Sequence, residues 1–417
     1  MKTVNYNQVL QKLSEMMGMT YSSLPSELAL RYRGFIDGRL CSAWESEWWP
    51  DLKRTERRHL RRTYRAATAY VLGDEVWWPQ ENSYYQALKS GSGTAPTDAD
   101  GNVTTSMWCA VTTNPSGDAY SATTAYTAGV QVWYEATQSY YQCISAVTGT
   151  APDAASGPTY WGEIRPFNRR LAEQQTEDAL SVSSITSTSA LFTVTTAVNH
   201  GLAVGDQVVI SGASPATYLG RWTVGAATGP KTFTATSTLN PGSASGSITC
   251  TPYLRPLGDV YSLYDTDPRN TTRWTEIGFR NLTDGIQVND LPGTFWLEHR
   301  LRRPILVGSD YDSAATYAVD DQILFTTGST ENFYTCLVAT SAGQSPTTHP
   351  GKWDLCSLPY IFFNYLVWGS YADALRMDGQ QDKAAVADRQ AEAWLNQETN
   401  KLYGQQAQYD RLRVSTY

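Results

Sequence analysis

Apolar residues recur at helical spacing at the two ends of the chain and alternate with polar ones through the middle. Near the start, Val9, Leu10, Leu13 and Met16–Met17 fall on one face of a helix over residues 5–17. Ser22–Ser23, followed by Pro25 and Glu27, form an N-terminal signal for a second helix. Its apolar stripe is Leu28, Leu30, Tyr32, Phe35, Ile36, Leu40, Ala43 and Trp44, and it stops near Trp48–Trp49–Pro50. The following DLKRTERRHLRRTYR carries Arg54, Arg57, Arg58, Arg61, Arg62 and Arg65 at i, i+3 and i+4, which predicts a helix over 53–65 with one basic face. From Pro359, YIFFNYLVWGSYADALRMDG reads as an apolar helix closed by Gly379, a residue suited to a helix C-cap. An Ala- and Gln-rich helix follows, with Trp394, Leu395 and Leu402 as its few large apolar contacts; so polar a helix lies against a partner or solvent.

Residues 66–356 lack helical periodicity and alternate short strands with Gly, Ser, Thr and Pro turns. Within them one unit occurs three times: AYVLGDEVWWPQENSYYQAL, AYTAGVQVWYEATQSYYQCI and TYAVDDQILFTTGSTENFYTCL. Aligned on Tyr70, Tyr126 and Tyr317, the units share a tight turn at Gly73–Asp74, Gly129–Val130 and Asp320–Asp321. Then come Val76, Val132 and Ile323, and two residues later Trp78, Tyr134 and Phe325, an alternation that makes a half-buried strand. Tyr85, Tyr141 and Tyr334 open a second strand. Pro96, Pro152 and Pro346 follow, and Trp108, Trp161 and Trp353 close the units. So small a core relies on dense aromatics in place of size. Trp77, Trp133, Tyr84 and Tyr140 point to the other face of the strands and form a candidate contact surface for sugar or protein.

The fold class expected is therefore α+β and multidomain: a discontinuous helical bundle from both chain ends, with a long inserted all-β region of several small modules. The divisions are 1–66 with 357–417 for the helical core, 67–112, 113–165 and 309–356 for the repeats, 180–252 for a fourth β unit of different pattern, and 166–179 with 253–308 for the β strip that flanks it.

Composition narrows the function classes. A chain of 417 residues exceeds what one core usually serves. A net charge of −8 argues against a globally basic nucleic-acid binder. Six scattered cysteines with no CxxC, and four isolated histidines, argue against zinc. Cys143 and Cys336 occupy the repeat position held by Ala87, a small buried site. There is no apolar leader-like stretch in MKTVNYNQVLQKL, no run long enough for a membrane span, and no Walker loop, GxSxG or HExxH. No catalytic residue, metal ligand or cofactor is assigned. His200, beside a turn glycine, reads as structural, and Glu45, Glu47, Asp265 and Asp267 read as solvated acids.

Three resemblances follow from these residues. The repeats resemble chitin- and cellulose-type carbohydrate-binding modules, with the framework Tyr, Gly-Asp, Val, aromatic, Tyr, Pro, Trp. The usual exposed Trp pair of such modules is replaced here by Lys89–Ser90, Ser145–Ala146 and Val338–Ala339. Residues 180–252, with HGL, GD.V.ISG and G.W.V, resemble a small β-barrel module of phage virion proteins. The strip RPLGDVYSLYDTDPRNTTRWTEIGFRNLTDGIQVNDLPGTFWLEHRLRRPIL, taken with the two helical ends, resembles head-to-tail adaptor (neck) proteins of tailed bacteriophages. That last resemblance implies a virion structural protein made in the host cytoplasm, in a ring homo-oligomer, a dodecamer. It would bind the portal and the tail or stopper proteins, with genomic DNA passing through its channel and the repeats as outward decorations. In that setting the six arginines are expected to meet acidic residues of a neighbouring subunit or the portal, and reversing Arg58 and Arg62 to Glu is expected to leave the monomer folded. A tail-fibre or baseplate adhesin that binds host polysaccharide through the repeats, and an accessory subunit of a polysaccharide-degrading enzyme, stand as alternatives.

Overall fold

The computed structural model describes residues 2–20, 24–112, 114–188, 190–237, 242–271, 273–290, 292–328 and 330–413, so the Ser22–Ser23 helix signal lies outside the described residues. Among the described residues the helices run in the order α1 (Tyr6–Met16), α2 (Ser26–Ser46), α3 (a single turn, Gly157–Tyr160), α4 (Phe363–Met377) and α5 (Gln381–Arg413). Between α2 and α4, apart from α3 and short 3-10 turns, the described chain is strand and loop. The architecture is α+β, with both helical ends in one unit and several small sheets between them.

The two ends are joined before their helices begin. Thr3–Asn5 pairs antiparallel with Ser357–Pro359, with Val4 opposite Leu358. Asn5 then caps α1 reciprocally: its side chain accepts from the Gln8 N–H, and the Gln8 side chain accepts from the Asn5 N–H, both at 2.9 Å. Val9, Leu10 and Leu13 of α1 share one core with Tyr32, Ile36 and Leu40 of α2 and with Phe362, Leu366 and Ala374 from the other end of the chain. Of the expected α2 stripe, Leu30 is the exception and stands exposed. Gly379 takes φ +75° after α4, a left-handed turn that lets α5 fold back. Alanines 384, 387 and 391 are buried on the inner face of α5. The first two pack on Ala372 and Leu375 of α4. Arg39 of α2 binds Asp373 of α4 and Asp388 of α5, each at 2.8 Å, tying three helices through one guanidinium.

The expected basic helix over 53–65 does not form. Residues Lys53–Arg58 are a strand paired in register with Phe295–Arg300, which pairs in turn with Val260–Tyr264. Basic residues spaced in doublets four apart satisfy a helical face, yet they equally send one member of each doublet to either side of a strand. Here the strand wins because Glu56 and Arg58 lie opposite the buried Leu297 and Phe295. A second three-stranded sheet, Arg170–Ala172, Gly285–Val288 and Phe279–Leu282, shares the same core through Leu171, Ile286 and Val288.

Residues 180–253 form a seven-stranded sheet around Phe192, Val208, Ile210, Tyr218 and Phe233. His200 is buried at its rim: Nδ1 accepts the Leu202 N–H at 2.9 Å, which leaves Nε2–H to donate to the Gly229 carbonyl at 3.0 Å. That is a turn brace, in keeping with a structural histidine.

Each repeat is a small sheet with the same internal construction. The closing tryptophans donate from Nε1 to the carbonyls of Thr94, Thr150 and Gln344, in each case at 2.9 Å. They stand edge-on to Tyr70, Tyr126 and Tyr317 at 5.3, 5.2 and 5.4 Å. Ala87, Cys143 and Cys336 are fully buried, and all six cysteines are free thiols. Each unit also has a further aromatic six residues before the framework tyrosine: Tyr64, Tyr120 and Tyr311 stack on Tyr70, Tyr126 and Tyr317 at 5.5, 5.7 and 5.9 Å. The first module therefore begins before residue 67, with Thr63 bridging to Trp77.

Candidate functional site

The six arginines singled out from the sequence surround the seam between the core strand Lys53–Arg58, the first repeat and the seven-stranded module. The structure takes them apart from one another and gives most of them an acid from this same chain. Arg57 clasps Asp206 with two bonds, 3.2 and 2.5 Å, and donates to the Gly201 carbonyl, so it locks the HGL turn of the seven-stranded module onto the core strand. Arg58 is buried against Glu56 at 2.7 Å. Arg61 binds Glu75 at 2.6 Å and the carbonyls of Leu60 and Arg170, which fastens the first repeat to the core. Arg62 is exposed, 3.8 Å from Asp178. Arg54 and Arg65 have no carboxylate in ion-pair contact among the described residues. Arg65 is buried and donates to the Asn199 carbonyl at 3.1 Å. Arg54 donates to the Asp51 and Lys53 carbonyls. Burial and the nearby Arg255 push the Arg54 pKa down.

A cavity of about 520 Å³ opens at this seam, lined by Arg54, Arg57, Arg65, Arg255 and Arg269 and by Glu56, Asp206 and Asp267. Three of its guanidiniums have a carboxylate partner: Arg57 pairs with Asp206, Arg269 with Asp267 at 2.9 Å, and Arg255 with Glu56 at 2.6 Å, an acid it shares with Arg58. Burial tends to raise the Glu56 carboxyl, but Arg58, His299 and Arg255 together outweigh it and hold the group well below the usual carboxylate range. Burial beside Arg57 pushes His59 down to about 3, so the ring is neutral near pH 7 and does not add to the basic set. Glu177, buried and accepting the Thr63 N–H, is pushed up to about 7 by desolvation.

The expectation that these arginines await acids on another subunit is thus corrected for Arg57, Arg58 and Arg61. Asp206 and Glu75 come from the inserted modules, and Glu56 from the strand itself. Reversal of Arg58 would set a carboxylate beside Glu56 in an almost closed interior, which argues against the expected tolerance of that change.

The aromatic candidates divide as well. Trp77 and Tyr84 are 3% and 2% exposed, sealed into the β core with Leu60, Phe295 and Leu297. Burial rules this pair out as a free contact surface. Trp133 and Tyr140, the same pair in the second repeat, are only half-buried, with ring centroids 4.9 Å apart. The stacked Tyr64, Tyr120 and Tyr311 escape a reading that starts each unit at the framework tyrosine, although their constant six-residue lead over it marks them.

No protein-family model matches the chain, and no curated protein matches it. Among the described residues no group of three or more His, Cys, Asp or Glu side chains could hold a metal ion, and no helix is long and apolar enough to cross a membrane.

Proposed function

We propose that this protein is a structural subunit of a tailed-bacteriophage virion, an adaptor ring at the neck between portal and tail. The observation that carries the reading is the discontinuous helical unit: α1 and α2 from one end of the chain and α4 and α5 from the other share a single core, with the β modules inserted between them. At 1.5 Å per residue, the 33 residues of α5 reach about 50 Å, and Val386 and Tyr403 stand exposed along it. A long helix with one alanine-lined inner face and an open outer side suits side-by-side packing of copies in a ring. The ion-paired seam fits the same reading, since it fixes the modules to the core as one load-transmitting body. The adhesin alternative is weakened by the burial of the aromatic pair in the first repeat.

Native mass spectrometry of the purified chain, together with its sedimentation with portal-bearing heads, tests the proposal. A closed oligomer, or a defined number of copies retained on heads, is expected. A chain that stays monomeric and fails to sediment with heads overturns it.

A further inference from the structure

The three repeats present the same strand face, and this chain covers it twice. In the first repeat, the His59 ring stacks on Trp77 at 5.5 Å and 15°. The Tyr84 hydroxyl accepts the Leu60 N–H at 2.8 Å and donates to the Gly293 carbonyl at 2.9 Å. Arg61 follows directly and lies over the Phe167 ring, which itself packs on Tyr84. In the third repeat the pair is Leu324 and Phe333, directly opposite each other and both buried in the helical core. There Tyr6 meets Phe333 edge-on at 5.1 Å, and Arg33 lies over the same ring at 5.8 Å. Both covers thus combine a flat side chain with an arginine.

In the second repeat that place is open. Trp133 and Tyr140 are opposite each other in register, half-buried, and packed into none of the buried apolar clusters. The neighbouring part of the module is already an interface, where Gln142 donates to the Trp108 carbonyl at 3.1 Å and Ile144 packs on Leu88. The residue two places after Trp133 is acidic, unlike its counterparts in the other repeats. Glu135, exposed and accepting from Trp133 Nε1 at 2.8 Å, stands where the other two have Pro79 and Thr326. The Tyr140 hydroxyl has no hydrogen bond to protein among the described residues, whereas Tyr84 makes two to backbone.

We propose that the Trp133–Tyr140 face docks a basic segment of another protein chain, an extended stretch that lays a flat or aliphatic side chain on Trp133, offers backbone to the Tyr140 hydroxyl and sets an arginine near Glu135. Both covered repeats supply the pairing of a flat side chain with an arginine, the first supplies it from an extended segment, and the carboxylate supplies the charge complement. The rings are tilted by 58°, which does not make the flat shared platform on which a run of sugar rings would stack. The proposal does not rest on the virion reading.

The full chain is labelled with 5-fluorotryptophan, and the Trp133 resonance is assigned through W133F. The probe is the hexapeptide Arg-Arg-His-Leu-Arg-Arg, which copies residues 57–62, the segment that covers the first repeat. A peptide of equal charge with Ala in place of His and Leu is the control. Saturable movement of the Trp133 signal by the probe is expected, weakened about tenfold or more by W133A in a second readout by calorimetry and less by Y140F. Equal binding of the control peptide, unchanged calorimetric binding to W133A, or no movement of the signal overturns the proposal. Movement by chitohexaose without movement by the peptide overturns it in favour of a sugar site.

Discussion

Replacing Glu56 with Gln removes one charge and almost no volume from the most enclosed ionic cluster at the seam. The carboxylate lies 2.7 Å from Arg58 and 2.6 Å from Arg255, with His299 at 3.8 Å. The Arg58 side chain is 1% exposed, so water cannot replace the lost partner. Arg255 is more open and can turn toward the cavity. Stranding one buried guanidinium costs about 3–5 kcal/mol, and the retained hydrogen bond from Arg58 to the Arg255 carbonyl keeps the expected value at the lower end, about 3 kcal/mol. The double change Glu56→Leu with Arg58→Met should cost less than Glu56→Gln alone, because it leaves no orphaned charge. A chain of several modules does not unfold in one step, so the assay is hydrogen exchange resolved to strands Lys53–Arg58 and Phe295–Arg300. The pH dependence supplies a second check. The folded carboxyl titrates well below its ordinary 4.5, so its stabilisation is present above about 4.5 and lost as pH falls through the folded value. The gap between wild type and Glu56→Gln should therefore be full at pH 7 and shrink as the pH drops below 4.5. A gap under about 1 kcal/mol at pH 7, or one that stays constant on acidification, refutes the reasoning.

Removing residues 363–413 should strip the shared core from α1 and α2; unchanged amide protection over residues 6–46 would show that the N-terminal helices stand alone. Glu177→Gln should stabilise the protein at alkaline pH. The buried carboxyl titrates at about 7 instead of 4.5, so its stabilisation is present below 4.5 and lost as pH rises through 7, by about 3 kcal/mol at pH 8. Hydrogen exchange at Thr63 and Trp77, compared at pH 4.5 and pH 8, checks this, and an identical wild-type-to-mutant gap at both would contradict it. Arg58→Glu should abolish the native fold, whereas Arg62→Glu, at a side chain 62% exposed, should change stability by less than about 1 kcal/mol; circular dichroism of the two single variants separates them.

Much of the architecture was legible because it is written in local periodicity. Val9, Leu10 and Leu13, the Gly379 turn and the Tyr–turn–Val–aromatic run of each repeat all lie within a few residues of one another, so backbone geometry alone brings them together. Even the small site shared by Ala87, Cys143 and Cys336 could be placed by aligning the repeats.

What the sequence left open depended on partners distant along the chain. Residues 53–65 carry a spacing compatible with a helix or a strand, and pairing of Lys53–Arg58 with Phe295–Arg300 decided for a strand over that stretch. The counter-ions of the arginines were hidden for the same reason, because Asp206 and Glu75 enter only when the seven-stranded module and the first repeat fold against this segment. Trp77–Tyr84 and Trp133–Tyr140 are chemically the same pair at the same register, with ring separations of 5.0 and 4.9 Å. One is core and the other is surface because His59, Leu60 and Phe167 lie over the first. Local sequence sets the shape of a module; which of its faces meets water is decided by what the rest of the chain lays across it.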